Sequence, residues 1–481
     1  MPSDEARRTP LTHRAILAIA LPVMLSNVST PLIGVVDTAV VGRIPDPAYI
    51  GAVAIGALVF DFVFWAFSFL RMGTTGMTAQ ALGARDENEI RAGLGRALAA
   101  AVALGAALVA LQWPIREIAF AFLEGSAHVE SLARAYFDIR IWAAPATLAN
   151  YALLGWFIGL GRTDVGLVLQ LVLNLANIAL DALFVLGFGW DVRGVALGTV
   201  LAEITAAAVG GAIAWRFAKT LGGRWSFERM LRPAALKRAF AVNADIMIRT
   251  LALLVVFVWF NAQGAKQGDV ILAANAVLLH FVSGAAFFLD GLAFAAEALV
   301  GRAVGAAHRA GLVAAARMTT LWAAGVAVCA SLALAISGPG IIDLLTVDPE
   351  ARAAARAHMA WAAAAPLLGV WAFQLDGIFI GATRTADMRN AMLVSLSIFF
   401  AAWWLLRPYG NHGLWAAFYV HYVARFGSLL FYYPRLVRSV PARAAPAATM
   451  EPPASAAGRS ISAPVSGKLP TDASRTVKRG R

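Results

Sequence analysis

The sequence predicts an all-α integral membrane protein of twelve transmembrane helices, arranged as two parallel-repeat six-helix lobes around a central cavity. Three observations carry that prediction. The 481-residue chain is 60% hydrophobic and only 14% charged, with a mean hydropathy of +0.70, whereas a soluble globule carries about 25% charge. Apolar windows of about 20 residues, the length that crosses a bilayer, recur along the chain. Segments of the first half also reappear at one offset in the second.

Taken in order, the spans fall roughly at 14–41, 49–82, 92–113, 132–160, 165–187 and 192–217, then 239–261, 271–300, 312–337, 353–380, 388–406 and 413–437. The first follows a polar start, MPSDEARRTPLTHR, and has neither a short apolar core nor a small-residue cleavage site, so it reads as an uncleaved span. Its Pro22 and Pro31 interrupt backbone hydrogen bonding, as is tolerated where a helix lines a cavity or bends. The polar stretch RFAKTLGGRWSFERMLRPAALKR divides the sixth span from the seventh. Beyond Arg438 a Pro/Ala/Ser-rich composition cannot bury a core. The expected organisation is thus a cytoplasmic N-terminus (1–13), an N-lobe (14–217), a cytoplasmic linker (218–238), a C-lobe (239–437) and a disordered basic cytoplasmic tail (438–481).

Basic residues orient the bundle. With the N-terminus inside, the inner segments hold 28 of the 40 Lys and Arg residues, and the helices hold Arg71, Arg140, Arg249 and Arg425. That bias places both termini in the cytoplasm and accounts for the net charge of +12 without a nucleic-acid partner. Cys329 stands alone, so no internal disulfide forms.

GWFIGLGRT (Gly155 to Thr163) recurs as GIFIGATRT (Gly377 to Thr385), an offset of 222 that also aligns QALGAR (from Gln80) with RAVGAA (from Arg302). An even number of helices per copy makes the copies parallel, with rocking of the lobes as the natural transport mechanism. The offset maps Asp37 to Trp259, Asn177 to Phe399 and Asp181 to Trp403, so the carboxylates belong to the first copy alone.

Within NLANIALDALFVLGFG, Asn174, Asn177 and Asp181 share one helical stripe. An aspartate at the centre of a membrane helix costs roughly 2.5–3.5 kcal/mol on insertion scales, so it points into a bundle or a wet cavity. The first span has a polar face of its own in Ser26, Asn27, Thr30 and Asp37. Arg249 and Asp290 are opposite charges on adjacent spans, and their simplest reading is an internal ion pair.

PLIGVVDTAVVGR, NIALDALF, FFLDGLAFAAEALVG and LDGIFIGATRTADMR together resemble the multidrug and toxic compound extrusion (MATE) family, and within it the DinF-like subgroup, over about residues 11–437. The resemblance implies an antiporter that exports organic cations or other amphipathic compounds in exchange for protons or sodium ions. It implies that Asp37 is the principal coupling carboxylate, completed by Asn177, Asp181 and Thr199, with Asn150 as a supporting residue. Asp376 also matches the DinF-like pattern. Two carboxylates in one desolvated pocket cannot both ionise cheaply, so the pair can hold one proton. The oxygens of Asp37, Asn177, Asp181 and Thr199 could equally hold sodium.

Substrate-pathway candidates are Asn27, Thr30, Asn174, Arg249, Asp290 and Asp376. Asp245 is expected near Arg249, and Arg71, Glu203 and Glu297 as packing or loop-facing partners. A lipid-linked oligosaccharide flippase is the alternative transport reading; it would want an arginine-rich cavity, whereas the cavity helices here carry more acid than base. Scattered histidines and the absence of ligand-spaced clusters argue against an enzyme, and carboxylates in one lobe only argue against a channel ring. A monomer in the cell inner membrane, with no cofactor and with the bilayer and a small cationic or amphipathic substrate as partners, is the expectation.

Overall fold

The structure is a computed structural model that describes residues 11–121 and 126–442. The described residues are overwhelmingly helical, without a strand. The long helices are α1 (His13–Val41), α2 (Ala48–Gly83), α3 (Glu87–Ala110), α4 (Ala127–Gly159), α5 (Thr163–Gly187) and α6 (Val192–Thr220). The second set is α7 (Pro233–Ala265), α8 (Asp269–Gly305), α9 (Arg309–Leu345), α10 (Pro349–Gly381), α11 (Thr385–Leu406) and α12 (Gly410–Ser439). The apolar stretch Thr385–Ser439 runs 55 residues, which as one straight helix would reach about 82 Å, nearly three times a hydrocarbon core of about 30 Å. It folds back instead at the 3-10 turn Arg407–Tyr409, where Gly410 takes φ +56°, and α11 and α12 pack against each other. With α1, and with the last stretch divided at its turn, the described residues hold twelve long helices, consistent with twelve spans.

Local chemistry sets the helix ends. Thr12, Asp86, Asp191 and Asp348 cap α1, α3, α6 and α10 by accepting first-turn N–H groups, which satisfies donors that hydrocarbon could not. α1 runs unbroken through Pro22 and Pro31. α2 tightens at Phe67–Ser68 through i→i+3 bonds, and short helices Gln112–Ala121 and Phe227–Met230, unforeseen from sequence, lie between longer ones.

The repeat is visible in the backbone. α2 and α8 end in matching turns with positive φ at Arg85 (58°) and Ala307 (52°), and α4 and α10 in turns at Gly161 (69°) and Thr383 (51°). Each is closed by a bond from the residue after the turn back five residues, such as Asp86 N–H to Ala81 O at 3.0 Å and His308 N–H to Ala303 O at 2.9 Å. The copies also grip each other reciprocally. A side chain at Gly83 would strike the Arg302 backbone, and one at Gly305 the Gln80 backbone, 222 residues apart in both directions. Arg302 donates to Leu160 O at 2.6 Å while Gln80 donates to Gly381 O at 3.0 Å. These contacts lie at the end of the bundle that carries the basic connection between α6 and α7. Among the described residues, the hydrogen bonds and ion pairs that join α1–α6 to α7–α12 lie at that end or near mid-depth.

Candidate functional site

Asp181 sits on α5 with 0% exposure, and Gly198 of α6 makes its place: a Cβ there would collide with Asp181 Oδ1. Directly after Asp181 the helix widens into a π-helical turn, Ala182–Gly187, a distortion common at functional positions. Half-buried Asp37, from α1, brings its carboxyl to hydrogen-bonding range of Asp181. Both Asp181 oxygens, Asp37 Oδ1 and Asn177 Oδ1 lack a hydrogen-bond partner among the described residues. Two ionised carboxylates have no proton to share; at ~4 Å and an effective dielectric of 20 they would repel by about 4 kcal/mol. One proton, or one cation, relieves both the repulsion and the unpaired oxygens.

The stripe predicted on α5 is present, but its members do different work. Asn177 donates to Thr199 Oγ1 at 3.3 Å, and that hydroxyl donates to Val195 O at 3.0 Å. Asn174 donates to Ser29 O at 3.1 Å and accepts from Gln170 at 2.8 Å, so its amide joins α5 to α1. Asn27 donates to Phe287 O of α8 at 3.1 Å and joins the two halves. The side chain of Thr30 lies outside the described residues. Asn150 donates to Glu203 Oε2 at 2.7 Å and Glu203 O at 3.0 Å, so its amide supports Glu203 of α6.

Arg140 is the participant that sequence reasoning passed over. Its guanidinium rests 5.3 Å from the Phe60 ring and 5.9 Å from Tyr136, and faces Asp37, Asp61, Asp181 and Glu203 electrostatically. Its Nε is buried without a hydrogen-bond partner among the described residues. The signal was available: an arginine inside a span demands a countercharge.

The second half holds a different cluster, and here the expected pairing is corrected. Arg249 binds Asp376 rather than Asp290, and Arg425 of α12 binds the same Asp376 carboxylate. α10 delivers Asp376 to where α7 and α12 meet, a tertiary fact that adjacency of spans along the chain does not contain. Asp290 faces Arg71, Arg249 and Arg425 at longer range. Arg71 and Glu297, expected as packing or loop-facing, form a buried ion pair at 3.2 Å between α2 and α8, with Arg71 3.9 Å above the Phe294 ring. Asp245 pairs with Arg389 at 2.6 Å and accepts from Thr385 at 3.0 Å, away from Arg249.

The MatE family model matches residues 22–183 and 246–403, one stretch in each half. DNA damage-inducible protein F of Escherichia coli (strain K12) is 38% identical over 87% of this chain and 91% of its own length. A probable multidrug resistance protein NorM of Rhizobium meliloti (strain 1021) is 28% identical over 92% of this chain and 96% of its own. A solved structure described as the outward-facing conformation of a multidrug resistance MATE family transporter superposes with a TM-score of 0.79 at 17% identity, covering 88% of this chain and 96% of that one. These relatives lend no support to the flippase alternative.

Proposed function

The chain belongs to the MatE family of membrane transporters, and on that premise we propose that it is a secondary antiporter of the cell inner membrane, with both termini cytoplasmic. It exports small cationic or amphipathic compounds, as its multidrug relatives suggest, and the exchanged ion is a proton carried by Asp37 and Asp181. The observation that carries this reading is the facing pair of carboxyls, of which Asp181 is fully buried with neither oxygen in a close hydrogen bond among the described residues.

The cycle follows from the geometry. The two halves are clasped at the basic-loop end, so the polar pocket opens toward the other side and takes up a proton there. With one proton on the pair, its remaining charge is offset by Arg140, and it no longer holds a cationic substrate, which leaves. Rocking of the lobes about the reciprocal glycine contacts then exposes the pocket to the cytoplasm, where the proton departs and the restored charge favours a new cation. Once the proton has gone, Arg140, anchored on Phe60 and Tyr136, offsets only one of the two carboxylate charges, which leaves the pair net negative toward a cation. In the second half Asp376, with Asp290 at longer range, offsets the charges of Arg249 and Arg425.

Transport in proteoliposomes under separately imposed proton and sodium gradients tests the proposal. Efflux of a cationic dye driven by the proton gradient alone is expected. Efflux that needs sodium would instead assign the oxygens of Asp37, Asn177, Asp181 and Thr199 to a sodium ion.

A further inference from the structure

A groove runs down the outside of the bundle, away from the carboxyl pocket. Its apolar part, about 680 Å³, is walled by Phe288 of α8 and by Leu321, Trp322, Gly325, Cys329 and Ala333 of α9. At the basic-loop end it opens into a second hollow of about 760 Å³ whose polar wall is His13, His308, Arg309 and Arg317. His13 and Leu321 line both, so the two are continuous. Neither is lined by a carboxylate.

Arg317 makes the site informative. It is exposed on α9, eight residues after Arg309 and thus about 12 Å along the helix, and among the described residues it has no hydrogen-bond or ion-pair partner. A guanidinium at that depth on a lipid-facing surface must reach for water or for an anion. Arg309 beside it spends Nε and one terminal nitrogen on Val440 O (2.7 Å) and Arg438 O (3.2 Å), which fixes the position of its charge without neutralising it. Leu321 to Ala333 cover roughly 18 Å of helix, about one leaflet of a hydrocarbon core about 30 Å thick.

We infer that this groove is a binding site for one anionic phospholipid, with the phosphate between Arg317 and Arg309 and an acyl chain along α9. Charge complementarity at the mouth and an apolar trough of leaflet length together select a lipid over a soluble anion. The site straddles the two halves: His13 of α1 accepts from Trp322 Nε1 of α9 at 3.0 Å, so the lipid seals a seam that lobe rocking must shear.

The test is native mass spectrometry of the purified, delipidated full chain, titrated with phosphatidylglycerol or with phosphatidylcholine of matched chains. A single preferred phosphatidylglycerol adduct is expected. Arg317→Gln should lower its occupancy by about fivefold, the factor one basic residue contributes near anionic headgroups, while Arg407→Gln, remote on the α11–α12 turn, leaves it unchanged. Gly325→Leu fills the trough, and since nothing lies within 4 Å of a Cβ built there, it should block the adduct without lowering the thermal midpoint. A phosphatidylglycerol with a diazirine in its acyl chain should label α9 between Leu321 and Ala333. Equal adducts of the two lipids, occupancy indifferent to both variants, or displacement by millimolar inorganic phosphate would overturn the assignment.

Discussion

The two halves place the same pairs of positions in contact and fill them with opposite chemistry. In the first half Asp37 faces Asp181; 222 residues on, Trp259 and Trp403 meet edge to face with centroids 5.0 Å apart. Asn177 bonds Thr199 in the first, and at the same offset Phe399 lies against His421, centroids 6.2 Å apart. Where α6 carries Glu203, α12 carries Arg425, locked on Asp376. On matching backbone, the second half thus carries aromatic rings at the positions of the first half's carboxyls. One half therefore holds a titratable pocket and the other an apolar plug beside a compensated charge cluster, and the difference predicts a single coupling site per molecule.

The largest effect should come from removing the charge that distinguishes the halves. Asp37→Asn and Asp181→Asn each keep volume while leaving one carboxyl where two shared a proton, so each should fold with near-parental yield and abolish gradient-driven export in proteoliposomes. Export at the parent's rate by either variant would make the carboxyl pair structural.

Next in size is the compensated cluster. Asp376→Asn leaves Arg249 and Arg425 buried with only Asp290, at longer range, to offset them, and breaking a buried pair costs about 3–5 kcal/mol. A large fall in the thermal midpoint in detergent is the expected reading, recovered in part when Arg249 and Arg425 are also made apolar. A stable Asp376→Asn protein that has lost transport would move this cluster into the substrate path.

Restoring the acid in the second half sharpens the contrast. Trp403→Asp exchanges half of the aromatic pair for a charge and should cost roughly 3 kcal/mol, with no second proton moved per turnover. A doubled proton stoichiometry would show that the plug alone had silenced a second site. Smallest of all, truncation after Ala442 should leave efflux and expression unchanged, because the Arg309 bond to Val440 O survives it.

Sequence reading reached the architecture because hydropathy and the 222-residue offset are each properties of the chain alone. It reached Asp181 because a charge in hydrocarbon is costly wherever the helix later packs. It did not reach the partners. Arg249 could be paired with Asp290 by adjacency, but its choice of Asp376 depends on how α10 meets α7 and α12, and the Arg71–Glu297 pair depends on α2 meeting α8 across the halves. Asn150 was assigned by likeness to the ion cluster, and its amide instead holds Glu203. Arg140 is legible only as an arginine within a span, because its neighbours come from α1, α2, α5 and α6 at once.

The central claim, one proton shared by Asp37 and Asp181 and surrendered to a cationic substrate, is tested most directly by counting protons. Calorimetric titration of a cationic dye into the purified protein, repeated in buffers of different ionisation enthalpy, gives the protons released per ligand bound. The account predicts close to one at a pH where the pair is protonated, and none in Asp37→Asn or Asp181→Asn. Release that persists undiminished in the double variant, with both residues replaced by asparagine, would contradict it.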